Sequence, residues 1–174
     1  MRHPIEPEWL LRLARGTAGQ GAGRGQQRTA NLRRATSDAY YALFHAIALA
    51  VAAATLPNAS AAEQHACSRY VSHTAVKKVS EWVSGASPPL HVQTVVSRLR
   101  ASPSLVAVAA AVTRLQEQRE AADYDHSADF TRLGTLAHVR QAEQAVAAIR
   151  ANGTDDDFRA LYGLITLQTT TRGG

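Results

Sequence analysis

Bulky apolar residues return along this chain at helical intervals. Between residues 29 and 55, Tyr40, Phe44, Ile47 and Val51 recur at steps of four, three and four, which places them along one face of a helix. Residues 103–123 carry Leu105, Val106, Val108, Val112 and Leu115, and residues 61–83 offer Tyr70, Val76, Val79 and Trp82 to a core. No segment shows the two-residue alternation of a half-buried strand. The pattern predicts an all-α fold, an antiparallel bundle of five or six helices.

Punctuation residues set the expected boundaries. Pro4 and Pro7 precede a short amphipathic helix over 8–15 that Gly16 should end. Residues 16–28, rich in glycine and arginine, read as a flexible linker. Pro57 stops the long helix, and Asn58 to Ser60 offer caps for the next, expected over 61–83. Ser84-Gly85-Ala86-Ser87-Pro88-Pro89 marks a break, followed by a short helix over 91–100. Ser102-Pro103 supplies an N-cap and a first-position proline for the helix that reaches about residue 123. A helix over 131–151 closes with Asn152-Gly153, and Thr154 with Asp155, Asp156 and Asp157 caps a last one to about residue 167. Residues 168–174 read as a frayed tail.

With 174 residues, one domain spanning 1–174 is expected. A single cysteine, Cys67, excludes a disulfide within the chain and a cysteine-cluster zinc site. The first residues lack the apolar run of a secretory signal, which points to the cytoplasm. Residues 40–56 carry no formal charge, yet they are rich in alanine and include His45, so a buried helix is expected there and no membrane span.

Charge is uneven. Of the net +5, all comes from residues 1–34, which hold seven arginines against two acidic residues. Arg24, Arg28, Arg33 and Arg34 therefore stand as weak candidates for a basic segment that tracks an RNA backbone. The alternating glycines beside them are not a phosphate loop, since no strand precedes them and no Gly-Lys-Ser/Thr follows.

The densest chemistry lies in Gln118-Arg119-Glu120-Ala121-Ala122-Asp123-Tyr124-Asp125-His126. If the preceding helix persists, Arg119 and His126, seven apart, return to nearly the same face. A guanidinium would then bind a phosphodiester that an imidazole serves with a proton. Arg132 and His138 make a second match to the loose pattern, but six residues apart they diverge. Asp123 is expected to orient Arg119 or pair with Arg33 or Arg34. Tyr124 is expected to pack at the helix end. No His-x-x-x-His spacing suggests a metal, and no cofactor is implied.

Residues 33–46 read Arg-Arg-Ala-Thr-Ser-Asp-Ala-Tyr-Tyr-Ala-Leu-Phe-His-Ala, and residues 115–125 read Leu-Gln-Glu-Gln-Arg-Glu-Ala-Ala-Asp-Tyr-Asp. Together, in this order and about 80 residues apart, they resemble the HEPN family of small all-α bundles. The first is similar to its Arg-Ala-x-Ser-x-Ala-Tyr-Tyr-Ala-x-Phe-His pattern and the second to its Arg-x-x-x-Asp-Tyr pattern. The resemblance implies an HEPN-like bundle and a metal-independent ribonuclease whose arginine and histidine fall on Arg119 and His126. It also implies a homodimer with a composite cleft, RNA as substrate, and a toxin–antitoxin or defence setting with a cognate antitoxin. Tyr41 and His45, within the first motif, are supporting candidates beside Asp123 and Tyr124. The acidic Glu120, Asp123 and Asp125 depart from what a phosphate site prefers. Other members of the family are non-catalytic partners of nucleotidyltransferases, which keeps a helical docking module as the alternative.

Overall fold

Alanine and a continuous apolar face make residues 26–55 the element on which the others pack. The computed structural model describes residues 6–19 and 25–170 of the chain. Over these the fold is all-α: α1 (Pro7–Gly19), α2 (Gln26–Thr55), α3 (Ala61–Ser68), α4 (His73–Ser84), α5 (Gln93–Leu99), α6 (Pro103–Tyr124), α7 (Arg132–Asn152) and α8 (Asp156–Thr170), with a 3-10 turn at Leu90–Val92. Helix α2 meets α1, α3, α6, α7 and α8, while α4 lies against α6 and α8. The small Ala35, Ala39, Ala42 and Ala48 are buried on α2, so neighbouring helices approach closely on several sides. Leu43, Ile47, Leu105, Leu115 and Ile165 form the fully enclosed centre, each stabilising the fold by about 1.5–3 kcal/mol relative to an exposed side chain.

By length and composition α2 would pass for a membrane span, but 61% of its apolar window is buried inside the bundle, the environment of a core helix.

Tertiary packing moves several boundaries from where local sequence put them. Gly16 does not end α1; the helix continues to Gly19 because Ala18 is fully buried. Gly25, at φ +67°, starts α2 already at Gln26, so Arg28 is helical. Of the expected linker 16–28, residues 16–19 and 26–28 are helical and Gly25 is a cap, while residues 20–24 lie outside the described residues. Likewise α8 carries residues 168–170, part of the expected tail, and the rest of that tail is outside the description.

The helix expected over 61–83 is two. Ser60 and Glu63 form a reciprocal capping box that starts α3, and Ser72, in an extended conformation, accepts the Ala75 N–H at 3.0 Å to start α4. This second cap breaks the register between them. Tyr70 consequently turns outward, 81% exposed, instead of joining the core. Helix α4 then ends at Gly85, φ +145°, and Arg100 donates to the Trp82 and Ala86 carbonyls at 2.6–3.0 Å, closing the helix end from a distance.

Gly153 follows α7 without a left-handed turn, at φ −62°. Glycine is required there for clearance: a Cβ would lie 2.5 Å from the Ile149 carbonyl oxygen. Gly153→Ala is expected to destabilise the protein by about 1–3 kcal/mol, read as a lowered urea midpoint with an unchanged slope.

Candidate functional site

A helix C-terminus leaves carbonyls without partners, and at the end of α6 one arginine from α2 takes them. Arg33 Nη1 donates to the Ala121, Ala122 and Asp125 carbonyls at 3.3, 3.1 and 2.9 Å, and its Nη2 donates to Ala128 at 2.8 Å. Its guanidinium also stands 5.1 Å from the centroid of the Phe130 ring. Asp125 accepts the Ser127 N–H and hydroxyl at 2.9 and 2.6 Å, bonds that hold its carboxyl below the usual range and tighten the turn after the helix. Arg33 is thus committed to backbone and is not the free RNA-binding cation expected from the charge run.

Arg119 sits one turn before this cap. Its Nη2 donates to the Tyr41 hydroxyl at 2.7 Å, and its Nε pairs with Asp123 Oδ2 at 2.7 Å as an ion pair without an aligned hydrogen bond. The other oxygen of Asp123 accepts the Ser37 hydroxyl at 2.7 Å. The guanidinium faces two phenol rings, Tyr41 at 5.4 Å and Tyr124 at 5.6 Å. Burial works against its charge, but the Tyr41 bond and the Asp123 carboxylate outweigh burial and hold its pKa above the ordinary value. The side chain remains 23% exposed and borders an open groove of about 610 Å³ with Glu120, Tyr124 and Asp125. Glu120 accepts the Gln116 amide at 3.1 Å and lies 3.9 Å from Lys77 of α4.

His126 is not on the helix. The chain turns extended at Asp125, so His126 falls in an exposed turn, and the two-turn stacking expected over Arg119 does not occur. It makes no hydrogen bond among the described residues, and the Arg33 clamp fixes the segment that carries it on both sides. Tyr124 is 71% exposed and does not pack at the helix end as expected.

A second groove, about 580 Å³, adjoins the first and is lined by Arg34, Ser37, Asp38, Tyr41, Asp123 and Tyr124 among others. Arg34 bonds both oxygens of the buried Asp38 at 3.0 and 3.1 Å, and burial raises the Asp38 carboxyl pKa against that pairing. Arg28 is exposed near the start of α2, and Arg24 lies outside the described residues. His45 is half-buried against Phe44, with its pKa lowered by burial and then by His65, and it lines neither groove.

The sequence places Tyr40 on the core face of α2, where it is buried, but gives His73 no role. The His73 Nδ1 is 2.7 Å from the Tyr40 hydroxyl, and its ring stacks on Phe44 at 3.6 Å between centroids. The only local signal was Ser72, whose cap makes His73 the first residue of α4. Among the described residues no group of His, Cys, Asp and Glu is arranged to hold a metal ion.

Comparisons of the chain with protein-family models, with curated proteins and with solved structures return no match.

Replacing Arg33 by Met should cost about 2 kcal/mol, as expected for charge-assisted bonds to backbone, and should speed amide exchange across residues 125–130 while distant helices are unchanged. The second motif match gives a pH test. Arg132 is exposed and His138 is buried with an unpartnered Nδ1, its pKa lowered from 6.5 by burial and then by Arg114. The unfolded chain therefore takes up that proton first, so stability should fall as pH drops below about 6.5. His138→Leu should flatten this fall in melts at pH 7.5 and 5.5, leaving the part that His45 and His73, also lowered, contribute.

Proposed function

We propose that this chain is a metal-independent endoribonuclease of the HEPN type. It acts as a cytoplasmic homodimer, the toxin or effector of a toxin–antitoxin or defence pair. The observation that carries the reading is the state of Arg119. Its cationic head is aimed by Tyr41 and Asp123, keeps its charge, and borders open space beside a turn that presents an untethered imidazole.

The chemistry follows from those groups. Arg119 neutralises the non-bridging oxygens of a phosphodiester as negative charge accumulates on them. His126 transfers a proton to or from the reacting oxygens. The ribose 2′-hydroxyl attacks the adjacent phosphorus, and the products carry a 2′,3′-cyclic phosphate and a 5′-hydroxyl. A second copy meeting the first at this end of the bundle supplies a second set of the same groups.

The acidic side chains Glu120, Asp123 and Asp125 around the guanidinium favour a second reading, a non-catalytic module that binds a protein such as a nucleotidyltransferase. Tyr124 and Leu133, 71% and 82% exposed, flank the loop on which such a partner would rest.

The two readings separate in one assay. Purified protein with total RNA and EDTA should give cleavage with cyclic-phosphate ends. Arg119→Ala should reduce the rate by about 10²–10³-fold, and His126→Ala by about 10²–10⁴-fold. Equal cleavage by wild type and both variants would mark a contaminant, and an inert wild type would leave the docking module standing.

A further inference from the structure

His73 is the titratable group at this end of the bundle to which the mechanism above gives no task. It opens α4 under the Ser72 cap, and the residue is exposed. Two contacts fix its ring from behind. Phe44 stacks on it at 3.6 Å, and the hydroxyl of Tyr40, a side chain only 2% exposed, holds Nδ1 at 2.7 Å. Burial keeps that phenol protonated far above its ordinary range. With Nδ1 carrying the ring hydrogen and donating it to the Tyr40 oxygen, Nε2 holds the free lone pair and is the ring nitrogen left to accept a proton. This is the arrangement by which a base is oriented: one nitrogen tethered to a fixed group, the other free.

Position supplies the second half. Tyr41 separates His73 from Arg119 and touches both. Its ring meets His73 edge-on at 6.1 Å and the Arg119 guanidinium at 5.4 Å, and its hydroxyl accepts the Arg119 Nη2–H at 2.7 Å. His73 itself lines neither groove, so an RNA whose phosphodiester is held by Arg119 would reach the tethered imidazole by extending past the Tyr41 phenol, which lines the second groove. Burial, then the Arg119 charge, then His45 hold His73 below its ordinary pKa, so the ring is neutral and able to accept a proton near pH 7.

We propose that His73 is the general base of the reaction, its Nε2 taking the proton of the ribose 2′-hydroxyl of RNA whose scissile phosphate is held by Arg119. The role rests on the ribonuclease reading. As Nε2 gains the proton, the 2′-oxygen forms its bond to phosphorus. The bond from phosphorus to the 5′-oxygen then breaks, its electron pair staying on that oxygen, which takes a proton from the His126 imidazolium. His73 leaves the step charged and His126 neutral, and exchange with solvent resets both. Two imidazoles answer an otherwise conflicting demand, since a base must start neutral and an acid must start protonated. Tyr40 is a positioning residue for the first of them.

The test uses the full chain with a single-stranded RNA of defined sequence in EDTA, comparing wild type with His73→Asn, His73→Ala and Arg119→Ala. Asparagine can place an amide where Nδ1 stood, facing Tyr40, but offers nothing in place of Nε2. His73→Asn should keep the wild-type melting temperature and the wild-type affinity for an RNA with a 2′-deoxy at the scissile position. Its kcat should fall by about 10²–10⁴-fold. The groups facing His73 are Tyr40, Tyr41 and His45 from α2, Arg119 from α6 and, one turn along α4, Lys77. The acidic limb of the pH–rate profile, assigned to His73 among them, should vanish in the Asn variant. Added imidazole should restore part of the activity of His73→Ala, which a structural role would not allow. The base role is overturned if His73→Asn cleaves within about threefold of wild type, or if both variants lose activity only in step with melting temperature and imidazole restores none. An inert wild type, or cleavage indifferent to Arg119→Ala, overturns the ribonuclease reading itself and the base role with it.

Discussion

One guanidinium on four carbonyls holds the α6 end of this bundle together. Arg33 reaches from α2 to the last turn of α6 and to the turn beyond it, satisfying Ala121, Ala122, Asp125 and Ala128 at once. Without it the α6 terminus would present its carbonyls to water and the turn carrying His126 would lose its anchor. Arg100 does the same at the end of α4 through Trp82 and Ala86. In both cases a cation from another element sits at the negative end of a helix, where the peptide dipoles favour it. The fold thus uses arginine twice as a remote cap, alone at the end of α6 and beside Gly85 at the end of α4.

The neighbouring charges gain meaning from that clamp. Because Arg33 is occupied with backbone, the carboxylate of Asp123 is left to Arg119 and Ser37. Asp38, buried one turn along α2 from Arg34, is neutralised by Arg34. The acidic residues that argue against anion binding in the sequence are therefore mostly paired in space. Glu120 leans toward Lys77 and Gln116, and Asp125 folds back on Ser127. Arg33 and Arg34 of α2 and Arg119 of α6 serve three separate ends: helix closure, neutralisation of a buried acid, and presentation of positive charge to a groove.

How much of this was legible depends on the range of the interaction responsible. The helical class, the long α2 and the start of α6 at Pro103 follow from periodicity and a first-position proline, relations within a few residues, although Ser102 makes no side-chain cap bond. The pairing of Asp123 with Arg119 is likewise a one-turn relation. What failed was set by distant partners. Gly16 looks like a stop until Ala18 is buried against the bundle; Ser72 is the exception, a local cap that reads as one polar residue in a helical run. Arg33 reads as part of a basic stretch because its acceptors lie 88 to 95 residues away. His73 was passed over for the same reason, its Tyr40 partner being 33 residues upstream.

Helix α3 has a different standing from the rest. Of its eight residues only Ser68 is buried, so its capping box, more than packing, keeps it folded. Segments with so little enclosed surface open at a small free-energy cost, well below that of global unfolding. Since Ser72 starts α4 independently, such opening stops at the junction and leaves His73 in its helix. Local opening of α3 would therefore bare the flank of α2 while α4 and the residues at its start stay in place.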